Sequence, residues 1–424
     1  MYQDIFEEVI SILHNDYAGC LDKQGWDNPN FYRKEIIEGQ KQKDLDDDQF
    51  IRIVRDYLLD FKDLHISFRY TDKFNNHETE VGFSTRRYKD SLYILSAGKE
   101  NRLKPGDKII ALDGKAIEDL VEIHQRQLME TEPERENWNT ILPLYKTMEI
   151  KDVTGHEYHL DIKKFEKEIY QGLYTLKEIS EGTLLLKVTD FLDQQAITQL
   201  VTENESSLSK SRNLIIDVRE NKGGSDLAFF ELLPFIFNGK QIDLNSFNQD
   251  KMLTNCTSRN VALRKKLLKQ VAASIHDATT LNQINTIIGE LESNRGRGFV
   301  ELEFGKTEDS LVINTKPGPD NIVLLTDVYC GSSGDSFVEV CKNSSKVTVI
   351  GRPTLGLNDY ANIAAKSWAD KFELWYPTSK LSRVDEGVGV SGIGIKPDIY
   401  VPWTPRHIKE DVDLKRAINH LSLK

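Results

Sequence analysis

Several features that would place a protein quickly are scarce or missing here. Only four cysteines occur in 424 residues, at Cys20, Cys256, Cys330 and Cys341, with no CxxC pair and no zinc-like grouping. They read as reduced thiols of a cytosolic protein or as core residues. No apolar run approaches the roughly 20 residues that span a bilayer. The opening MYQDIFEEVISIL has acids where a secretion signal needs a basic segment. The expected location is therefore cytoplasmic, with no membrane partner. Positive charge is in deficit: 55 Lys and Arg against 67 Asp and Glu give a net charge of −12. That argues against nucleic acid or an anionic membrane as the main partner. A GxxxxGK[ST] phosphate loop is missing, and the glycine spacing is wrong for GxGxxG.

What remains is an ordinary globular mixture, 39% hydrophobic and 29% charged, able to bury a sizeable core. At roughly 150 residues per domain the length suggests about three units. Residues 1–75 read as mainly helical, since Ile5, Phe6, Val9, Ile10 and Leu13 recur at steps of three and four. A second helix starts after Asp46–Asp48, charges that suit a helix N-terminus, with Phe50, Ile51, Val54, Leu58 and Leu59 on its apolar face. DLHISFRY then turns β-like. Residues 76–168 have the texture of a small β-rich domain. VGF at 81–83, LYIL at 92–95 and IIAL at 109–112 read as strands, with turns at Pro105-Gly106-Asp107 and Asp113-Gly114.

The clearest unit runs from 182 to 224. GTLLLKVTDF is a strand, DQQAITQLVTENESSL a helix with Ile197, Leu200 and Val201 inward, and NLIIDVRE a nearly all-apolar strand, as expected when both faces are buried. Strand, helix, strand at this length implies a parallel right-handed crossover. A second such unit runs from NIVLLTD to KVTVIG, so the expected class is α/β. Between them, at about 240–318, two amphipathic helices are expected, one through Leu263, Leu267, Leu268 and Val271, the other through Leu281, Ile284, Ile288 and Leu291. The basic Arg264–Lys266 reads as a solvated face and SNRGRG as a turn. This region is an insertion capping the core or a small subdomain.

Three stretches carry residues able to do chemistry. In GSSGDSFVEVCKN, from Gly331 to Asn343, a strand precedes and apolar residues at helical spacing follow. Ser332 therefore sits near a helix N-terminus, where free N–H groups and the helix dipole favour negative charge. The oxyanion of acyl transfer is such a charge. The bland alternative is an N-cap made by Ser332 or Ser333. VRENKGG ends on Gly223 and Gly224 at the C-terminal end of an apolar strand, where α/β sheets place their sites. Glycine there lets backbone approach a ligand or simply makes a tight turn. His65, in KDLHISF, has the usual side chain for activating a serine. A histidine between Leu64 and Ile66 can equally be structural.

Taken in order, these stretches resemble the C-terminal processing peptidases, or tail-specific proteases, and especially their tricorn-like branch. DLHISF looks like the family's D-x-H segment and KPGDKIIALDGK like part of its inserted PDZ domain. NLIIDVRENKGG is similar to D-x-R-x-N-x-G-G, and GSSGDSF to the S-[AS]-[AGS]-[ED] nucleophile motif. IGRPTLG resembles the segment after it and GIGIKPDIYV the terminal G-[IV]-x-P-D. The resemblance covers most of the chain. It implies a crotonase-like protease core with parallel βαβ units: an N-terminal helical region at 1–75, a PDZ-like domain at 76–168, and an α/β peptidase core at 169–424 with its helical insertion at about 240–318. It also implies a serine endopeptidase that needs no cofactor and acts on peptide or protein substrates. Ser332 then matches the nucleophile and His65 the general base. The N–H groups of Ser333 and of Gly223 or Gly224 would form the oxyanion hole. Backbone N–H groups near Val81, Gly82 and Phe83 would hold the carboxylate of a substrate tail added as a strand. The sequence sets no oligomeric state.

Two positions depart from that pattern. The other branch uses a lysine base 25 residues after the serine, where this chain has Leu357. Leucine cannot accept a proton, so His65 is the only motif-matched base. Many tricorn-like relatives place a glutamate six residues before the proline of the terminal motif; counting back from Pro397 gives Ser391. Asp385 and Glu386 are close enough in sequence to stand in. Asp63 could orient the imidazole or face water, and the second is the expectation. These departures keep open a catalytically impaired peptide-binding protein on the same scaffold, and an acyl hydrolase with a non-peptide substrate.

Overall fold

Runs such as Leu214–Ile216 and Ile322–Leu325 offer no polar face, and they become strands buried on both sides. They lie in a six-stranded sheet ordered Tyr174–Ser180, Thr183–Val188, Asn213–Asp217, Asn321–Thr326, Val347–Gly351 and Ile399–Tyr400. The first pair is antiparallel and every later pair parallel. Helices Gln194–Glu203 and Ser333–Cys341 lie in the two expected crossovers. On one face Ile215, Val323, Leu325 and Ile350 pack against Ala417 and Leu421 of helix Val412–Leu421. Elsewhere the rings of Phe191, Phe229 and Phe337 meet pairwise with centroids 5.4–5.5 Å apart.

The computed structural model describes residues 1–71, 79–247, 250–273, 275, 278–303 and 312–423. The boundary expected at 75–76 lies outside these residues, as do parts of 240–318. The chain clusters into two compact units, each discontinuous in sequence. One comprises His77–Phe247, Leu311–Gly356 and Gly392–Lys424, the other Met1–Asn76, Asn248–Ser310 and Leu357–Ser391.

The first unit holds the six-stranded sheet and a second, antiparallel one ordered Ser84–Tyr88, Ser91–Ser96, Lys108–Leu112, Thr147–Lys151 and Glu157–Asp161. Its core includes Leu92, Ile94, Ile109, Trp138 and Ile150. The expected strands at LYIL and IIAL are present, and the Asp113-Gly114 turn joins Lys108–Leu112 to Lys115–Ala116. VGF is not a strand: Val81–Phe83 forms the bend between Thr79–Glu80 and Ser84–Tyr88, with Gly82 at φ +72°.

In the other unit, helices Tyr2–Asn15 and Asp47–Leu58 bury the residues their periodicity announced, except that Leu59 falls in the turn after the second helix and is half-buried. The second is capped by Asp46, whose carboxylate accepts from the Gln49 N–H at 2.8 Å while Gln49 accepts from the Asp46 N–H at 2.9 Å. A helix at Pro29–Gln42, with only Tyr32 and Ile36 buried, goes beyond the expectation. Strand Phe372–Leu381 pairs with Ser67–Tyr70, Met252–Asn255 and Tyr360–Trp368. Phe68 and Phe372 stack, and Phe50 meets both rings edge-on. The two helices expected in the 240–318 region are Ser258–Ala272 and Ala278–Ser293. Val271, expected inward, is 45% exposed. Arg264, expected in solvent, donates to Ile363 O and Asn362 Oδ1 at 3.2 and 3.0 Å, and burial pulls its guanidinium down to about 10. Among the described residues no helix is long and apolar enough to cross a membrane.

Candidate active site

Strands Asn213–Asp217 and Asn321–Thr326 are parallel neighbours, with Asp217 opposite Leu325. The loops that follow them therefore leave the sheet at the same end. In the first loop Asn221 is fully buried. Its Nδ2 donates to Val188 O at 3.1 Å, its Oδ1 accepts the Gly223 N–H at 2.9 Å, and its carbonyl accepts the Gly331 N–H at 3.0 Å. That last bond ties the two loops together. Gly223, at φ +79°, lies against Ser332: a Cβ here would stand 2.7 Å from that of Ser332 and 2.8 Å from Gly331 O. Gly224 approaches the Phe191 backbone still more closely, and its carbonyl accepts from the Ser333 hydroxyl at 3.0 Å.

Ser332 is half-buried and immediately precedes helix Ser333–Cys341, with φ 58° and ψ −123°. L-residues rarely adopt that conformation, which costs about 1–3 kcal/mol and persists only when the surroundings over-determine it. The surroundings here centre on Asp335, fully buried, whose two carboxylate oxygens accept the Ser332 N–H at 2.7 Å and the Gly356 N–H at 2.9 Å. The Leu355 N–H donates to Cys330 O at 2.7 Å. The N–H groups of Ser333 and Gly224 donate to nothing among the described residues. The Gly223 N–H is occupied by Asn221, so of the two glycines only Gly224 keeps a donor for a ligand. The nearby Cys330 thiol is pushed far above its ordinary value, by burial first and then by Asp335, and is a packed core group.

His65 belongs to the other unit, after the short turn Leu59–Phe61. Asp63 accepts the His65 N–H on Oδ1 at 2.9 Å and the Tyr17 hydroxyl on Oδ2 at 2.7 Å. Lys23 donates to the same hydroxyl at 2.8 Å and lies 4.3 Å from the Tyr360 ring centroid. Burial lowers the Lys23 ammonium and, together with Asp63, raises the Tyr17 phenol far above its ordinary value. Asp63 therefore does not face water: it is 7% exposed, because Tyr17 and Lys23 cover it from a distant part of the chain. The imidazole Nδ1 is buried without a hydrogen bond, 3.8 Å from Asp63 Oδ1. Leu64 beside it is 55% exposed.

Ser391 donates through both its N–H and its hydroxyl to Asp359 Oδ2, at 2.7 and 2.8 Å. Asp359 is 1% exposed and also accepts from Arg383 Nε at 2.9 Å. Of the other two candidate acids, Asp385 pairs with Lys380 at 2.5 Å, and Glu386 is exposed with no hydrogen bond among the described residues. Asn221, Asp335 and Asp359 went unassigned in the sequence. The first two stand inside quoted motifs, whereas nothing local marks Asp359. Val81 and Phe83 are buried, and Gly82 O accepts the Glu100 N–H at 3.1 Å. Among the described residues no group of three or more His, Cys, Asp or Glu could hold a metal ion.

Residues 182–401, just over half of the chain, match the model of peptidase family S41. No curated protein sequence matches. Among solved structures, mature CPAF aligns with a TM-score of 0.65 and 13% identity over 98% of this chain and 95% of that one. Mature CPAF complexed with lactacystin aligns at 0.63 and 12% over 100% and 97%. At such identities the likeness is one of fold.

Proposed function

The chain belongs to peptidase family S41, the C-terminal processing peptidases, and is a serine-type peptidase; we propose that Ser332 is its nucleophile, His65 its base, and a substrate's C-terminal tail its point of engagement. The observation that carries this reading is the Ser332 backbone, held at φ 58° against Gly223 by a fully buried carboxylate. Ser332 is also the N-cap of its helix, with Asp335 accepting its N–H in capping-box fashion, but a cap alone needs no such strain, whereas a strained turn between strand and helix lifts a serine hydroxyl out of the chain.

In this mechanism His65 takes the Ser332 proton as the hydroxyl oxygen attacks the peptide carbonyl. The oxyanion accepts from the uncommitted N–H groups of Ser333 and Gly224; one such donor is typically worth about 3 kcal/mol. The protonated imidazole then gives its proton to the leaving amine. Water attacks the acyl-enzyme with His65 again as base, and Ser332 is regenerated. Asp63 takes the orienting role: its Oδ1 already fixes the His65 backbone, and closing the 3.8 Å gap to Nδ1 would hold the tautomer that leaves Nε2 free to accept. Hydrogen bonds at catalytic sites often tighten only once substrate is bound. Residues 76–168 serve as the PDZ-like module, with the bend Val81–Phe83 taking the tail carboxylate and Ser84–Tyr88, the last strand of its sheet, accepting the tail as a strand. The four unpaired, buried cysteines support a reducing, cytoplasmic setting.

Ser332→Ala is expected to lower kcat for peptide hydrolysis by about 10⁴-fold or more and to end labelling by a serine-directed fluorophosphonate, with the circular dichroism spectrum unchanged. Undiminished turnover would overturn the assignment. A wild-type protein that binds tail peptides yet resists both labelling and turnover would be a peptide-binding protein.

A further inference from the structure

We propose that the cavity beside the Gly223-Gly224 turn is a substrate subsite for a peptide carboxylate, and that Lys222 is the residue that reads it. This deepens, and rests on, the assignment of Ser332 as nucleophile. The cavity holds about 410 Å³, and its walls include Tyr170, Leu173, Thr189, Lys222 and Tyr329. Two of these lie on the loops that build the nucleophile's surroundings: Lys222 adjoins Gly223, and Tyr329 precedes Ser332 by three residues. The Lys222 N–H donates to Thr189 O at 3.0 Å, which fixes the backbone of this wall.

The charges around the cavity are unequally satisfied. Glu220, also in its lining, is paired with Lys187 at 2.8 Å. Asp190, 1% exposed behind the wall, accepts the Tyr170 hydroxyl at 2.8 Å and also that of Tyr174. Lys222 has neither an ion pair nor a hydrogen bond from its ammonium among the described residues. Its Nζ instead lies 3.6 Å from the Tyr170 ring centroid. A ring held from behind by Asp190 positions the ammonium without using its N–H donors. Partial burial also lowers the Lys222 ammonium from its ordinary value. A carboxylate entering the cavity would offset that desolvation and gain charge-assisted hydrogen bonds, while Tyr170, Tyr329 and Leu173 would cover the methylene groups that carry it. A basic side chain would meet like charge. The carboxylate can come from Asp or Glu within the peptide or from its terminus, and both offer the same chemistry.

The test uses one peptide scaffold with Glu, Gln or Lys scanned through the residues flanking the cleaved bond, each with a free or amidated C-terminus. kcat/KM is measured for the wild type, Lys222→Met and Lys222→Glu, and binding by fluorescence anisotropy is measured for Ser332→Ala with and without Lys222→Met. At one scanned position the wild type is expected to favour Glu over Gln about tenfold. The ratio should fall toward one in Lys222→Met and turn toward Lys in Lys222→Glu. Loss on amidation in place of a Glu preference, again erased by Lys222→Met, assigns the carboxylate to the chain terminus. Hydrolysis with no carboxylate preference, or a preference that survives Lys222→Met, overturns the subsite and leaves the peptidase standing. Carboxylate-dependent binding to Ser332→Ala that needs Lys222, with no wild-type hydrolysis, keeps the subsite and removes the nucleophile assignment.

Discussion

A methyl group added at Gly223 would occupy space that Ser332 already fills. The nearest atoms are the Ser332 Cβ and the Gly331 carbonyl oxygen, at 2.7 and 2.8 Å, and both belong to the loop that presents the hydroxyl. Neither is the tip of a flexible side chain that could swing aside. The residue also sits at φ +79°, which by itself costs an L-residue about 1–2 kcal/mol. Gly223→Ala is therefore expected to lower unfolding free energy by about 2 kcal/mol or more and kcat by on the order of 100-fold, because a shift of about 1 Å at the reacting atom costs that much. Urea denaturation and steady-state kinetics on the same preparation would check both. A variant that loses stability but keeps its kcat would show that the two loops tolerate separation without harm to the nucleophile.

The segment around Arg135 shows how one short element serves the site from the side. Its guanidinium donates to Thr354 O and Leu355 O at 2.9 and 3.2 Å and pairs with Glu130. The next two amides, Leu355 and Gly356, are those that bond Cys330 O and Asp335. Arg135→Ala should leave the sheets intact yet raise hydrogen exchange at Leu355 and Gly356 about tenfold, as local opening becomes cheaper by about 1.4 kcal/mol; unchanged protection there would show the loop is held without it. Elements of this kind mark the limit of legibility. Four strands of the six-stranded sheet could be read because they are largely apolar runs, and Ser332 with the glycine pair because they follow two of them; Tyr174–Ser180, with Lys177 and Glu178 exposed, and the two-residue Ile399–Tyr400 carry no such run. The bend at Val81–Phe83 reads as a strand because apolar residues flank Gly82, and only the backbone shows the turn. The cover over Asp63 could not be read at all, since Tyr17 and Lys23 lie 46 and 40 residues away with nothing local to pair them. Arg264 looked solvated for the same reason: its acceptors lie on a strand about a hundred residues later.

At the scale of the whole molecule, stability against acid should be governed by one buried network within the unit that carries Ser332. Arg86 of strand Ser84–Tyr88 grips Asp327 with two nitrogens at 3.0 Å, so the antiparallel sheet is tied to the end of a core strand. Arg352 bonds both Asp327 and Asp413, and Arg219 bonds Asp217, Asp411 and Asp413. Burial opposes ionisation of Asp327, but the guanidinium groups of Arg86 and Arg352 outweigh it and hold the carboxyl below its ordinary value. For Asp413, burial is likewise overcome, by His407 and Arg352 together. Carboxylates depressed in the folded state add stability that is fully present above their unfolded value, about 4, and is lost as pH falls through the folded one. The urea midpoint should thus hold from neutrality to about pH 4.5 and drop below about pH 4. Glu7, Glu8 and Asp47, all outside this unit, are also depressed by cations, and these more open pairs would add to an acid transition at low salt. Salt separates the two sources, because about 1 M screens exposed pairs over roughly 3 Å and leaves buried ones largely untouched. An acid drop that persists in about 1 M NaCl assigns it to the network; one that vanishes there would move the acid sensitivity to the surface.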